Sequence, residues 1–145
     1  VSRVVVLNGV NLGLLGDRRP EIYGGTTLKE IEDGLRSEFP DVEWEFFQTD
    51  LEGEFVRRIH AAADAAGLIL NPGAWTHYSY AIHDALEILS IPRVEVHLSN
   101  VYRREEWRRR SVISPAVDAV VAGMGPFGYR VAARYVLFGS RWDLR

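Results

Sequence analysis

Glu95 and His97 stand two residues apart at the end of a β-branched run that reads as a strand, so their side chains leave the same face and can meet. A carboxylate beside an imidazole favours the imidazolium, which suits His97 to donate a proton. The same spacing would also serve a satisfied polar pair at the edge of a core. A second group lies in NPGAWTHYS, where a Pro-Gly turn between strand and helix gathers Asn71, His77 and Ser79 near a helix start. Amides at a helix N-terminus favour anions, and neutral hydrogen-bonding side chains suit hydroxyls. Taken alone, the segment reads as a well-capped turn, since a lone polar turn is structural more often than functional. A third group is LGDRRPEIYGG, which sets Tyr23 in a Pro- and Gly-flanked loop with Arg18 and Arg19 just before it. An ordinary tyrosine is about 0.1% ionised at neutral pH, so a tyrosine base needs its phenolate stabilised. Arginines at contact distance supply about 4 kcal/mol each at an intermediate dielectric. Without such neighbours Tyr23 is an exposed loop residue. Arg103 to Arg110, RREEWRRR, holds five arginines and two glutamates. Most of it reads as a solvated face, but an arginine there, in the loop after His97, is placed to close over an anion and press on Tyr23.

Composition narrows the chemistry. Hydrophobic residues make up 47% of the 145 and charged residues 26%, the balance of one folded globular domain spanning 1–145. A net charge of -3 gives no basic field for nucleic acid or an acidic membrane, and no apolar run reaches the ~20 residues of a membrane helix. A small-molecule substrate is the expected partner. Absence of cysteine removes disulfides, thiolate metal sites and a cysteine nucleophile, and fits a reducing compartment. The strand-like start shows no secretory signal, so the expected location is cytoplasmic.

The elements that must position these residues follow from periodicity. Five apolar runs, Arg3 to Leu7, Glu43 to Gln48, Leu68 to Leu70, Arg93 to Val96 and Ala119 to Ala122, alternate with helical stripes. Leu28, Ile31, Leu35 and Phe39 mark the first helix, which Thr27 and Glu30 open as a capping box. Phe55, Ile59, Ala62, Ala63 and Ala66 mark the second, with Gly67 expected as its C-terminal stop. The third starts near Ser79, buries Ile82, Leu86 and Leu89, and meets Pro92; the last spans about Tyr129 to Phe138. This is an α/β pattern, expected as a flavodoxin-like, doubly wound, five-stranded parallel sheet in the order 2-1-3-4-5. Ligands bind such sheets at the carboxyl ends of the strands where the order reverses. Those ends carry Asn8 and Asn11, Asn71, and Glu95, His97, Ser99 and Asn100, and two long loops, Asn8 to Thr26 and Leu98 to Ser114, follow them.

Other signals carry less. GMGPFG at Gly123 to Gly128 matches a dinucleotide fingerprint, but it sits in the last βα unit and reads as a tight turn. The histidines lack metal spacing, with His60 and His83 on helix surfaces, so no metal is expected. Lys29, the one lysine, lies in the first helix away from the strand ends, which argues against a Schiff base. No cofactor is expected. The rival reading is a flavodoxin-like anion- or flavin-binding domain without catalysis, although VNLGLLG lacks the Ser/Thr/Gly phosphate loop expected after the first strand.

LNGVNLGLLGDRRPEIYGGTTL, NPGAWTHYSYAIHDAL, EVHLSNVYRREEWRRRSVISP and AGMGPFGYRVAARY resemble, in order, signature segments of type II 3-dehydroquinate dehydratases, over nearly the whole chain. The resemblance implies anti elimination of water from 3-dehydroquinate through an enolate, in the shikimate pathway, by a flavodoxin-like enzyme often assembled as a dodecamer of trimers. It implies that Tyr23 is the base, with Arg18 and Arg104 stabilising its phenolate. Asn11 is similar to the residue that holds a water against the enolate oxygen. His97, paired with Glu95, resembles the acid that protonates the departing C1 hydroxyl. Asn71, Leu98 and Ser99 resemble the carboxylate-binding positions, His77 and Arg108 those that contact ring hydroxyls, and Asp84 a residue that reaches a neighbouring subunit's site. Val10 departs from the usual proline, Tyr102 and Arg103 from a common His-Ala pair, and His83 from a common arginine.

Overall fold

Short runs of β-branched residues pair into a sheet here because helices bury them on both sides. The computed structural model describes residues 1–139, so the expected single unit of 1–145 extends past them. Parallel strands β1 (Arg3–Asn8), β2 (Glu43–Gln48), β3 (Gly67–Asn71), β4 (Arg93–His97) and β5 (Ala119–Ala122) form one sheet in the order β2-β1-β3-β4-β5. The expected strand order holds. Longer helices α2 (Leu28–Glu38), α3 (Glu52–Ala61), α4 (Tyr80–Glu87) and α5 (Phe127–Phe138) cover it, and a four-residue helix α1 (Pro20–Tyr23) sits in the loop after β1. No helix among the described residues is long and apolar enough to cross a membrane.

Strand alternation decides which side chains face which helices. Val4, Val6, Ile69, Val94 and Val96 pack with Ile31 and Leu35 of α2 and Tyr129, Ala132 and Val136 of α5. Val5, Leu7, Leu68 and Leu70 pack instead with Phe55 and Ile59 of α3 and Ile82 and Leu86 of α4. Glu95, between Val94 and Val96 and in register with Leu70, therefore faces the α3/α4 layer, and His97 follows it. Asn8 and Asn71, in register with each other, continue the opposite parity and meet Tyr129 of α5.

Thr27 caps α2 as expected: its hydroxyl accepts from Glu30 N–H. Strands β1, β3 and β4 run one residue beyond the expected ends, which brings Asn8, Asn71 and His97 into the sheet. Three expectations fail locally. α3 ends at Ala61, and beyond it the chain leaves helical phase, so Ala63 and Ala66 are exposed while Ala65 is buried. Gly67 is no helix stop but opens β3, where a Cβ would lie 2.7 Å from Val136 Cβ; glycine is there for the close approach of α5. α5 begins at Phe127 rather than Tyr129, because the GMGPFG turn, with Gly123 and Gly125 at positive φ, releases the chain directly into Pro126 at its N-cap.

Candidate active site

The loop after β1 sets the base side. Asn11 takes a left-handed φ of 68°, a conformation asparagine tolerates, and its N–H donates to Asp50 Oδ1 at 2.8 Å. The chain then makes a 3₁₀ turn at Leu12–Leu14 and reaches α1, whose first residue, Pro20, has the φ a helix start needs. Tyr23 closes α1. Arg18 donates from Nη2 to the Tyr23 hydroxyl oxygen at 3.0 Å, and its guanidinium carbon lies 4.3 Å from the ring centroid. Arg104, from the loop after β4, approaches the same ring to 5.1 Å and donates to Ser99 Oγ. Its Nε is buried without a protein partner, an unmet donor on the wall of a cavity. Arg19 turns away to pair with Glu21.

The acid side is built on the sheet. Glu95 is 0% exposed, and its Oε2 lies 2.5 Å from His97 Nε2. Burial alone would raise the Glu95 carboxyl, but hydrogen bonds from His97, Ser114 and Thr76 outweigh it and hold the group below its usual range. An ionised Glu95 can only accept, so Nε2 carries a hydrogen and Nδ1 is the nitrogen left for the cavity. Asn71 is fixed as well: its Oδ1 accepts from Gly73 N–H at 3.1 Å, so Nδ2 donates to Tyr129 at 3.1 Å, and Tyr129 donates onward to Asn8 at 2.5 Å. One Nδ2 hydrogen remains for a ligand. Burial pushes the Tyr129 phenol far above its usual range, so it stays a donor. Gly73 has a positive φ of 60°, and a Cβ there would crowd Val10 O, which accounts for glycine in the turn that follows.

A 3₁₀ turn at Gly73–His77 carries His77 to the cavity. Its Nδ1–H donates to Arg110 O at 2.7 Å, and its ring meets Trp107 edge-on with centroids 5.0 Å apart. Burial lowers its pKa, favouring the neutral ring whose free Nε2 accepts from a hydroxyl.

These elements line one crevice that opens to solvent. Arg18, Tyr23, Asn71, His77, His97, Leu98, Ser99, Arg104 and Arg108 all line it, together with Leu12. Glu95 stands directly behind His97. Besides Glu95, two expected site residues are not on the wall: Asn11 is exposed beside Leu12, and Asp84 is exposed on the outer side of α4. Three arginines and no carboxylate on the lining make the crevice electropositive in a chain of net charge -3, so it suits a small anion bearing hydroxyls. Thr76, Ser111, Ser114 and Tyr129 escaped the sequence reading as contributors. Their only signal was position, Thr76 inside NPGAWTHYS and the serines at the end of the long loop after β4.

His83 is less bare than its sequence context implied. It donates to Val112 O at 2.7 Å and, with Asp84 and Glu87, forms a group whose ligand atoms lie within 4.8 Å of one another. That group is on the outside of α4, away from the crevice lining. Val10 packs against the α3/α4 core, and Tyr102 and Arg103 are exposed.

A doubly wound sheet with an anion-binding crevice at its switch point, a buffered Glu-His pair and an arginine-clamped tyrosine defines an enzyme of proton-transfer chemistry. The chain belongs to the class II dehydroquinase family, whose model matches residues 2–137. It is 51% identical over 138 residues to a 3-dehydroquinate dehydratase of Thermotoga petrophila, covering 92% of this chain and 94% of that protein. A 3-dehydroquinate dehydratase of Bacillus subtilis is 47% identical over 136 residues, with 92% of each covered. The crystal structure of the type II dehydroquinase from Propionibacterium acnes superposes with a TM-score of 0.90 at 42% identity, over 94% of this chain and 96% of that one.

Proposed function

We propose that Tyr23 and His97 are the base and acid of an anti elimination. As a class II dehydroquinase the chain is a hydro-lyase, its substrate is 3-dehydroquinate, and the reaction belongs to the shikimate pathway. The Tyr23 phenolate takes the proton from C2, and the C–H electron pair moves into an enolate, with Asn11 holding a water against its oxygen. The enolate then expels the C1 hydroxyl, which leaves as water with a proton from His97; the product is the conjugated enone 3-dehydroshikimate. The substrate carboxylate rests against Asn71 and the backbone of Leu98 and Ser99, and its ring hydroxyls against His77 and Arg108.

The observation that carries this reading is the convergence of Arg18 and Arg104 on Tyr23 in the crevice that also exposes His97. Two guanidiniums lie against the phenol that would take the proton, and base and acid come from different elements, as removal of two groups from opposite faces requires. Following enone absorbance with Tyr23→Phe and His97→Ala tests it. Tyr23→Phe should abolish turnover with product binding retained, and His97→Ala should cut kcat by about 100-fold or more. Normal turnover by either variant removes that residue from the mechanism.

The chain is read as one catalytic domain that assembles as trimers, most simply a dodecamer, with Asp84 reaching a neighbour's crevice. Its exposure on α4, away from its own cavity, supports that role. A cysteine-free chain acting on a polar metabolite is in keeping with the cytoplasm.

A further inference from the structure

The Glu95 carboxylate has more partners than a simple acid-histidine pair needs, and the polarity of one of them, Thr76, is fixed by the backbone through Ser111. Ser111 Oγ accepts from Ile113 N–H at 3.1 Å and from Ser114 N–H at 2.9 Å, so its own hydrogen must point to Thr76 Oγ1, 2.5 Å away. Thr76 in turn donates to Glu95 Oε2 at 2.6 Å, and Ser114 Oγ donates to Oε1 at 2.6 Å. Thr76 and Glu95 are buried, so water does not replace the Thr76 donor. A proton on Oε2 would face the Thr76 hydrogen head-on, and Thr76 could reverse only if Ser111 did, which the two amides oppose.

We propose that Ser111 and Thr76 form a one-way hydroxyl relay that, with Ser114 on the other carboxylate oxygen, fixes Glu95 against His97, making the three positioning residues for the acid step. The relay also joins the acid to the arginine-bearing loop. Ser111 follows Arg108–Arg110 directly, and the loop is stitched to the Gly73–His77 turn by Val112 N–H to Thr76 O at 2.8 Å and by His77 to Arg110 O. The titratable groups facing Glu95 are His97 on its own strand and His77 from the turn, with Arg108 beyond His77; the loop contributes only hydroxyls at the carboxylate.

The proposal rests on His97 as the acid, and its test separates the two claims. Thr76→Val keeps the shape and deletes the donor; Thr76→Ser restores it. In Thr76→Val, kcat should fall about 10-fold or more with KM within about twofold, and the acid limb of the kcat profile should move up by about one pH unit. Thr76→Ser should return both to near wild type. Because removing a donor destabilises the carboxylate, the same upward shift should appear in the acid-side titration of His97 ring signals by NMR, which needs no turnover. An unmoved acid inflection in Thr76→Val, or failure of Thr76→Ser to rescue, overturns the relay. If Thr76→Val does not fold, Ser111→Ala and Ser114→Ala are judged by the same inflection. A wild-type chain inactive on 3-dehydroquinate with the NMR shift intact would sink the enzymatic reading and leave the relay standing.

Discussion

Replacing Glu95 by Gln keeps the volume of a fully buried side chain and removes only its charge, so it isolates what the carboxylate does for His97. The amide oxygen can take the place of Oε2 and still accept from Thr76 and His97, while Ser114 rotates to accept from the amide nitrogen. The variant should therefore fold. What it loses is the difference between a charged and a neutral acceptor for an imidazolium at 2.5 Å. A hydrogen bond to a charged partner contributes about 1.5–3 kcal/mol against about 0.5–1.5 for a neutral one, and the Coulomb term at an intermediate dielectric brings the total to about 2–4 kcal/mol. If that stabilisation is what keeps His97 protonated for the acid step, kcat falls by up to about 30- to 1,000-fold with KM little changed. Enone formation measured by stopped-flow absorbance under saturating substrate gives kcat directly. Urea unfolding adds an independent arm. The folded Glu95 carboxyl lies below its ordinary value of 4.5, so its contribution is fully present above that value and is lost as pH falls through the lower folded one. The stability gap between wild type and Glu95→Gln should narrow as pH falls below about 4.5. A kcat within twofold of wild type would falsify the assigned role of the pair, as would a loss confined to KM.

Arg18→Ala keeps the phenol but deletes the cation 3.0 Å from its oxygen. Turnover should fall by about 10-fold or more with product binding retained; an unchanged turnover would count against Arg18 as the partner of the base. For the assembly, light scattering should give a mass in multiples of three chains, with Asp84→Ala raising KM; a fully active monomer would refute the shared site.

Much of this was open to a reader of the sequence, for physical reasons that differ from residue to residue. Strand order follows from β-branched runs separated by crossover helices, and the meeting of Glu95 with His97 follows from the two-residue period of any strand. Both are local rules. The residues alone set Arg18 and Arg19 beside Tyr23, but the turn from Arg18 into the short helix α1 follows no period, and only resemblance to a family chose Arg18. Thr76 and Ser111 lie 35 positions apart, and a hydroxyl pairs with so many partners that neither residue announces the other. Ala63 and Ala66 were misplaced because helical spacing was extended past a helix end that no glycine or proline marks. Gly67 carried a real signal, but of α5 packing rather than of helix termination.

The backbone hydrogen bonds donated by Asp17, Arg18, Ile22, Tyr23 and Gly24 all run to carbonyls between Leu14 and Pro20, so the base sits on a self-contained loop. His97, Asn71 and His77 are instead tied to the sheet and to the loop stitched against it. For inhibitor design the two walls are unequal. A compact anion that engages only the strand-end wall meets a surface already in place, and its affinity should survive rigid docking. A ligand that stacks on Tyr23 leans instead on a wall held by side chains, the ring packed on the core with Arg18 and Arg104 beside it, so its affinity depends on their positions as well as on the ring.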